Sequence, residues 1–222
     1  DSHCGEHLLY TIANIYYDTK DNSLIRESLS KPAYKEKLRL RSYGVPDMDS
    51  KVFLEIKKKY RGLVNKRRTT LELGEAYDFI ETGVKPELQD YMNGQVLNEL
   101  EYCLNLYDLE PKVYIAYDRL AYFEKGNDDL RISFDTNIRT RRSDLLLESG
   151  DHGKRLLDSD VWLMEIKTSL AKPLWLCEML SEFEIRSSSF SKYGTEYKNM
   201  MARQKEMPKQ KIFVFGNQKQ AV

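Results

Sequence analysis

The sequence predicts an α+β domain built on a mainly antiparallel sheet, and three observations carry that prediction. Strand patterns come in two runs, helical patterns are segregated between and after them, and Gly- and Asn/Asp-containing turns separate neighbouring strands. At 222 residues the chain is long enough to bury a substantial core.

The first run opens with Thr11–Asp18 (TIANIYYD), rich in β-branched and aromatic residues. Tyr34–Tyr43, Val52–Tyr60 and Leu63–Leu71 follow, with Tyr60-Arg61-Gly62 as the turn between the last two. Leu73–Glu81 reads as a short helix, ended by Thr82-Gly83 and by Pro86 soon after. Gln95–Tyr107 reads as a second helix, with Val96, Leu100, Cys103, Leu104 and Tyr107 on one face.

The second run begins with the long strand Lys112–Glu124, turns at Gly126-Asn127-Asp128-Asp129, and returns as Leu130–Asn137. Leu145–Leu147 and Arg155–Leu157 suggest a small hairpin around Gly150–Gly153. Val161–Thr168 is a strand that ends before Pro173, with Trp162, Met164 and Ile166 on its core side. Leu174–Phe183 and Lys192–Glu206 then read as helices. The whole is expected to be one domain over 1–222, and its abrupt start suggests a missing N-terminal element.

Composition narrows the function. Lys plus Arg number 35 and Asp plus Glu number 35, so a protein that coats nucleic acid by bulk charge is disfavoured. No apolar run is long enough to cross a bilayer, and no signal-peptide pattern opens the chain. Three widely spaced cysteines argue for a reducing compartment, hence a cytoplasmic location. Cys103 and Cys177 lie in apolar helical patterns and are expected in the core.

The chemistry lies in how the charges segregate. Strands place alternate side chains on opposite faces. In Tyr34–Tyr43, Lys35, Lys37, Arg39 and Arg41 share one face while Leu38 and Leu40 take the other. In the next strand Val52, Leu54 and Ile56 oppose Phe53, Glu55, Lys57 and Lys59. Beyond the turn Val64, Lys66, Arg68 and Thr70 share a face, with Arg67 opposite.

The second run repeats the arrangement. Tyr117 and Arg119 share a face, as do Arg131, Ser133 and Asp135, while Leu163, Glu165 and Lys167 lie together. For any single strand a solvated polar face is the simpler reading. Taken together, bases outnumber acids several-fold, and like charges opposed on neighbouring strands repel. Such a face requires an anion, and barrel walls would focus its field along a narrow axis. Phosphate chains fit, since Arg supplies forked donors and Lys compact charges. The acids then need a role. Glu165 is the candidate for holding Mg²⁺ or Mn²⁺ beside phosphate oxygens, its alternative being an ion pair with Lys167 or a cross-strand base. Glu55 and Asp135 suit orientation of neighbouring bases.

KLRLRSY (Lys37–Tyr43), VFLEIKKK (Val52–Lys59), NKRR (Asn65–Arg68), YDRLAYF (Tyr117–Phe123), DLRISFDT (Asp129–Thr136), LMEIK (Leu163–Lys167) and SFSKYG (Ser189–Gly194) come in a telling order. The series resembles the polyphosphate polymerase domain of the vacuolar transporter chaperone family, within the triphosphate tunnel metalloenzymes. The resemblance runs from about residue 11 to about residue 200 and implies an antiparallel β-barrel tunnel with flanking helices. It also implies divalent-metal dependence and transfer of a phosphoryl group from ATP, or another triphosphate, onto inorganic polyphosphate.

By matching motifs, the implied catalytic bases are Arg39, Arg41, Lys57, Arg119, Arg131 and Lys192. Lys59, Lys66, Arg68, Tyr117, Lys167 and Ser191 would contact the phosphates, and Glu165 would carry the metal. Ser189 stands where fungal members often have a base. Family members also open with a strand and helix that nothing before Thr11 resembles. Association with a membrane through a partner is compatible with that family.

Rival readings remain. A triphosphatase or polyphosphatase would use the same tunnel on water, and a non-catalytic polyphosphate or inositol-phosphate module would only bind. His3, Cys4 and His7 imitate metal-ligand spacing without a second pair of ligands, and His152 reads as a loop residue. There is no GxxxxGK[ST] phosphate loop and no GxSxG elbow.

Overall fold

The computed structural model describes residues 9–169 and 171–206, without the side chains of 127, 128 and 206. His3, Cys4 and His7 lie outside the described residues. The strands are β1 (Tyr10–Thr19), β2 (Tyr34–Tyr43), β3 (Lys51–Tyr60), β4 (Leu63–Glu72), β5 (Leu109–Glu124), β6 (Asn127–Arg141), β7 (Lys154–Arg155) and β8 (Leu163–Lys167). Helices are α1 (Ser23–Leu29), α2 (Leu73–Thr82), α3 (Gly94–Leu106), α4 (Leu174–Glu182) and α5 (Lys192–Glu206).

All the ladders are antiparallel, in the order β4-β3-β2-β1-β5-β6-β7, with β8 also pairing β6. Among the described residues no ladder joins β4 to β7 or β8, so the wall is continuous but open on that side. The β3–β4 hairpin turns at Arg61 and Gly62, both with positive φ (45° and 93°). That is the backbone a two-residue hairpin needs, and glycine adopts it without Cβ strain.

Each sheet face has its own core. On the outer face Leu38, Leu40, Val52, Leu54 and Ile56 pack against Phe79 of α2 and Leu97, Leu100 and Cys103 of α3. On the inner face Ile12, Val113, Ile115 and Tyr117 pack against Ile25 of α1 and Tyr193 and Tyr197 of α5. Two polar contacts seat α5 there. Arg142 clasps Glu196 through bonds of 2.8 and 2.6 Å, and the Tyr193 hydroxyl donates to Asp18 at 3.0 Å.

Helix α1 escapes sequence reading because it is only seven residues long and its first amides have no adjacent cap. The buried Asp18 carboxylate accepts from the N–H groups of Leu24 and Ile25 at 2.9 Å each, so a strand residue does the capping.

Three expectations need correction. No Leu145–Leu147/Arg155–Leu157 hairpin forms; Lys154–Arg155 pairs with Thr140 and Arg139 of β6 instead. A Cβ on Gly153 would lie 2.9 Å from the Thr140 backbone, which shows how close that approach is. Arg141 binds the intervening loop by donating to the carbonyls of Asp144, Leu146, Gly150 and His152. Trp162 precedes β8 and is exposed rather than core. Cys177 is exposed as well, because among the buried residues of α4 only Leu176 faces the protein. Cys103 is buried as expected.

Candidate phosphate-binding face

Antiparallel register arranges the inner-face side chains in rows across the strands. One row reads Lys37–Lys57–Lys66, the next Tyr16–Arg39–Glu55–Arg68, and the next Asn14–Arg41–Phe53–Thr70. Lys35 opposes Lys59 one row beyond the lysines. At the opposite end Asp135–Arg119–Tyr10 and Lys167–Arg131–Phe123 align across β8, β6, β5 and β1.

Glu55 organises the first group. Its carboxylate is 1% exposed, yet it meets three bases. Arg39 reaches Oε2 at 2.6 and 2.7 Å, Lys66 Nζ stands 2.7 Å from Oε1, and Arg41 lies 3.9 Å from the same oxygen. Burial would raise its pKa, but Arg39, Arg41 and Lys66 outweigh that and hold the carboxyl at about 2. One charge cannot neutralise three bases. Among the described residues no carboxylate pairs with Lys37, directly opposite Lys57; burial first, then Lys35, Lys57 and Arg39, hold its pKa below the usual lysine value against the opposing pull of Tyr16.

Arg41 is fixed from β1 and β5. Asn14 Oδ1 accepts from its Nε at 2.9 Å, and its Nη2 donates to the Tyr117 hydroxyl at 3.3 Å. Tyr117 therefore positions bases as well as lining the site: Lys192 Nζ lies 4.2 Å from its ring centroid and the Arg119 guanidinium 5.2 Å.

Asp135 organises the second group. It is 1% exposed, accepts from Arg119 at 2.6 and 2.9 Å, and takes Lys192 at 2.5 Å. Burial pushes its pKa up, but the Arg119 bonds and the Lys192 charge keep it below the ordinary carboxylate range. Glu165 differs from both. Its side chain is 50% exposed, 3.4 Å from Lys167 and 4.0 Å from Arg119. Among the described inner-face acids, Glu55 and Asp135 are saturated by buried partners and Glu165 is not.

Ser191 and Lys192 begin α5. Ser191 Oγ accepts the Gly194 N–H at 3.1 Å and lies 3.3 Å from Lys37 Nζ, so one residue caps the helix and meets the lysine row. Of the residues expected from sequence, the fold gathers Arg39, Arg41 and Lys66 on Glu55, Arg119 and Lys192 on Asp135, and Lys167 on Glu165. Lys57 and Lys59 sit in the lysine rows. Arg68 leans over the Phe53 ring at 4.8 Å, and Arg131 lies 5.1 Å from the Phe123 centroid, farther along the β5–β6 hairpin.

Asn14 and Tyr16 were not foreseen. Tyr16 receives a 3.1 Å bond from Arg39 and stacks on Tyr193 at 5.0 Å. Burial would raise its pKa, but Arg39 and Lys37 prevail and lower it to about 8. The available signal was Asn14 itself, a polar side chain inside the apolar run TIANIYYD.

The sheet, its helices on both faces and its base-rich inner side give the fold of the triphosphate tunnel proteins. Residues 2–201 match the VTC domain, and the chain belongs to that family. It is 27% identical over 165 residues to vacuolar transporter chaperone complex subunit 4 of Schizosaccharomyces pombe, covering 65% of this chain and 22% of that protein. The chain thus spans about a fifth of that relative's length.

Among solved structures, HpAC1 of Hippeastrum, described as an adenylyl cyclase with a dominant triphosphatase activity, superposes with a TM-score of 0.51. The match has 16% identity and covers 86% of this chain and 83% of that one, a likeness of fold alone. An adenylate cyclase-type protein of Bacillus halodurans gives a TM-score of 0.48 at 17% identity over the same shares.

Proposed function

We propose that this domain binds a triphosphate along its basic inner face and transfers the terminal phosphoryl group of ATP onto an inorganic polyphosphate chain. The observation that carries this reading is the row Lys37–Lys57–Lys66, three ammonium groups set directly opposite one another with a single buried acid nearby. Opposed like charges destabilise a sheet unless an anion lies between them. A linear phosphate chain supplies a charge at every repeat and can continue through the Arg39 and Arg41 rows.

Phosphoryl transfer spreads negative charge over the transferred group, so positioning and neutralisation do most of the work. Arg39 and Arg41 are held by Glu55, Tyr16, Asn14 and Tyr117 before substrate arrives, which leaves little reorganisation for the reaction. Arg119 and Lys192, fixed by Asp135, add bases beside the Tyr117 ring, whose hydroxyl Arg41 also meets. A phosphate acceptor is already anionic, so no general base is required of the protein.

Among the described residues no three His, Cys, Asp or Glu side chains converge as a cation cage. The half-exposed Glu165 does fit a metal that arrives with its triphosphate, because Mg²⁺ and Mn²⁺ combine one or two carboxylates with phosphate oxygens. Bound there, a divalent ion would draw charge from the phosphate oxygens. Glu165 would hold it, while Lys167 and Arg119 orient the carboxylate.

The test is to incubate the full-length protein with ATP and Mn²⁺ and resolve the products. A ladder of long chains supports transfer to polyphosphate; free phosphate alone replaces it with hydrolysis. Glu165→Gln is expected to lower turnover at least a hundredfold while tripolyphosphate binding stays within about twofold. Binding without turnover in the unaltered protein would leave a polyphosphate-binding module.

A further inference from the structure

The inner face is polarised in residue type as well as charge. At one end its bases are all lysines: Lys35, Lys37, Lys57, Lys59 and Lys66. Toward the other, along β2 and β4, they become Arg39, Arg41 and Arg68, and aromatic rings join them. Tyr43 and Phe53 meet edge to face at 5.8 Å, Tyr10 lies 5.9 Å from Tyr43, and the Arg68 guanidinium sits 4.8 Å from the Phe53 centroid.

Phe53 is the informative residue. It lies on the polar face, belongs to neither buried apolar cluster and stays half-buried between Arg41 and Thr70. A ring in that position contributes little to packing. Arg68 is exposed and turned over that ring, although the register places it opposite Glu55. A planar guanidinium beside a half-exposed ring is a surface on which flat heteroaromatic rings stack. Phosphates need neither feature. At the lysine end the nearest ring is the buried Tyr193, 6.0 Å from Lys37 Nζ, and the Arg61–Tyr60 pair lies at the hairpin tip, with Tyr60 alternating onto the opposite face from the lysines.

We propose that Phe53 and Arg68, buttressed by Tyr43, form a nucleobase subsite that makes this face prefer a nucleoside triphosphate to an inorganic one. This rests on the triphosphate reading above and adds an orientation to it. Along β3, Glu55 lies about 7 Å and Lys57 about 13 Å from Phe53 at the usual strand rise. The ribose and first phosphates span the Glu55 row, and the terminal phosphate and the acceptor chain reach the lysine row. The donor nucleoside therefore enters at the arginine–aromatic end, and the phosphate chain occupies the lysine end.

The experiment measures binding of ATP and of tripolyphosphate to the full-length protein, unaltered and as Phe53→Leu and Phe53→Tyr. Phe53→Leu is expected to weaken ATP about tenfold, in line with one lost stacking contact, and to leave tripolyphosphate within twofold. Phe53→Tyr, which keeps a ring, is expected to retain ATP affinity. Equal losses for both ligands, or no loss for ATP, overturn the subsite while the phosphate site stands. If tripolyphosphate itself fails to bind the unaltered protein, the phosphate reading falls and the subsite with it. Thermal melting of each variant separates these outcomes from misfolding.

Discussion

The wall made by β1–β4 and the wall made by β5, β6 and β8 both turn bases inward, but they balance them differently. On the first, Lys35, Lys37, Arg39, Arg41, Lys57, Lys59, Lys66 and Arg68 share one acid, Glu55. On the second, Arg119 and Lys192 share Asp135, and Lys167 lies beside Glu165. Excess charge on one wall creates demand for a polyanion. With Arg131, which also faces inward there, four bases meet two acids on the second wall, a smaller excess that leaves Glu165 exposed; on the proposed function that carboxylate would take the cation of a metal–triphosphate complex.

The largest expected effect comes from removing the acid that the bases of the first wall share. Glu55→Ala leaves Arg39, Arg41 and Lys66 without their counter-ion and should cost about 3 kcal/mol of stability. Tripolyphosphate should restore more of the lost melting temperature in this variant than it adds to the unaltered protein. Unchanged melting would show that the three bases do not depend on Glu55. Acid should act similarly. The Glu55 carboxyl is depressed to about 2, so its contribution is complete above the ordinary glutamate pKa and is lost as pH falls from there toward 2.

Asp135→Asn sharpens the contrast, with an expected cost of about 2 kcal/mol, below that for Glu55. It has two basic partners rather than three, Asn still accepts one hydrogen bond, and Lys192 retains the Tyr117 ring. A larger loss than for Glu55→Ala would break the ranking of the walls. Lys57→Met should weaken tripolyphosphate about tenfold, the value of one charge-assisted bond, and leave the unliganded protein as stable or slightly more so. Denaturant titration of both forms, with and without ligand, reads both effects.

The smallest effect is with pH. As pH rises Tyr16, lowered to about 8, becomes an anion among the inner-face bases proposed to bind phosphate. At roughly 6 Å in high dielectric that repulsion is about 0.7 kcal/mol, or some threefold in affinity between pH 7 and 9. Lys37, also depressed, changes in the same direction, so Tyr16→Phe separates them. If that variant keeps the full pH dependence, the phenol is not its source.

Much of this was legible in the sequence because strand alternation is local. Lys35, Lys37, Arg39 and Arg41 had to share a face once Leu38 and Leu40 faced the core, and α5 begins where SFSKYG predicts. Other features depended on distant partners. Asp18 caps α1 and receives Tyr193 from 175 residues away, which no windowed pattern contains. The expected Leu145–Leu147 hairpin failed because Arg141 could satisfy the loop's carbonyls and release Lys154–Arg155 to β6. Glu165 stands between Lys167 and Arg119, but its half exposure, which separates it from Asp135, emerged only when β8 paired at the sheet edge.

By itself the sequence determined which side chains share a face, since a period of two is written into each strand. Tertiary structure decided which base answers to which acid. Register between strands far apart in the chain set Lys37, Lys57 and Lys66 in one row, placed Asn14 and Tyr16 beside the arginines, and brought Lys192 across Tyr117 to Asp135. Charge repulsion acts through space, so only the folded wall reveals where it is left unbalanced.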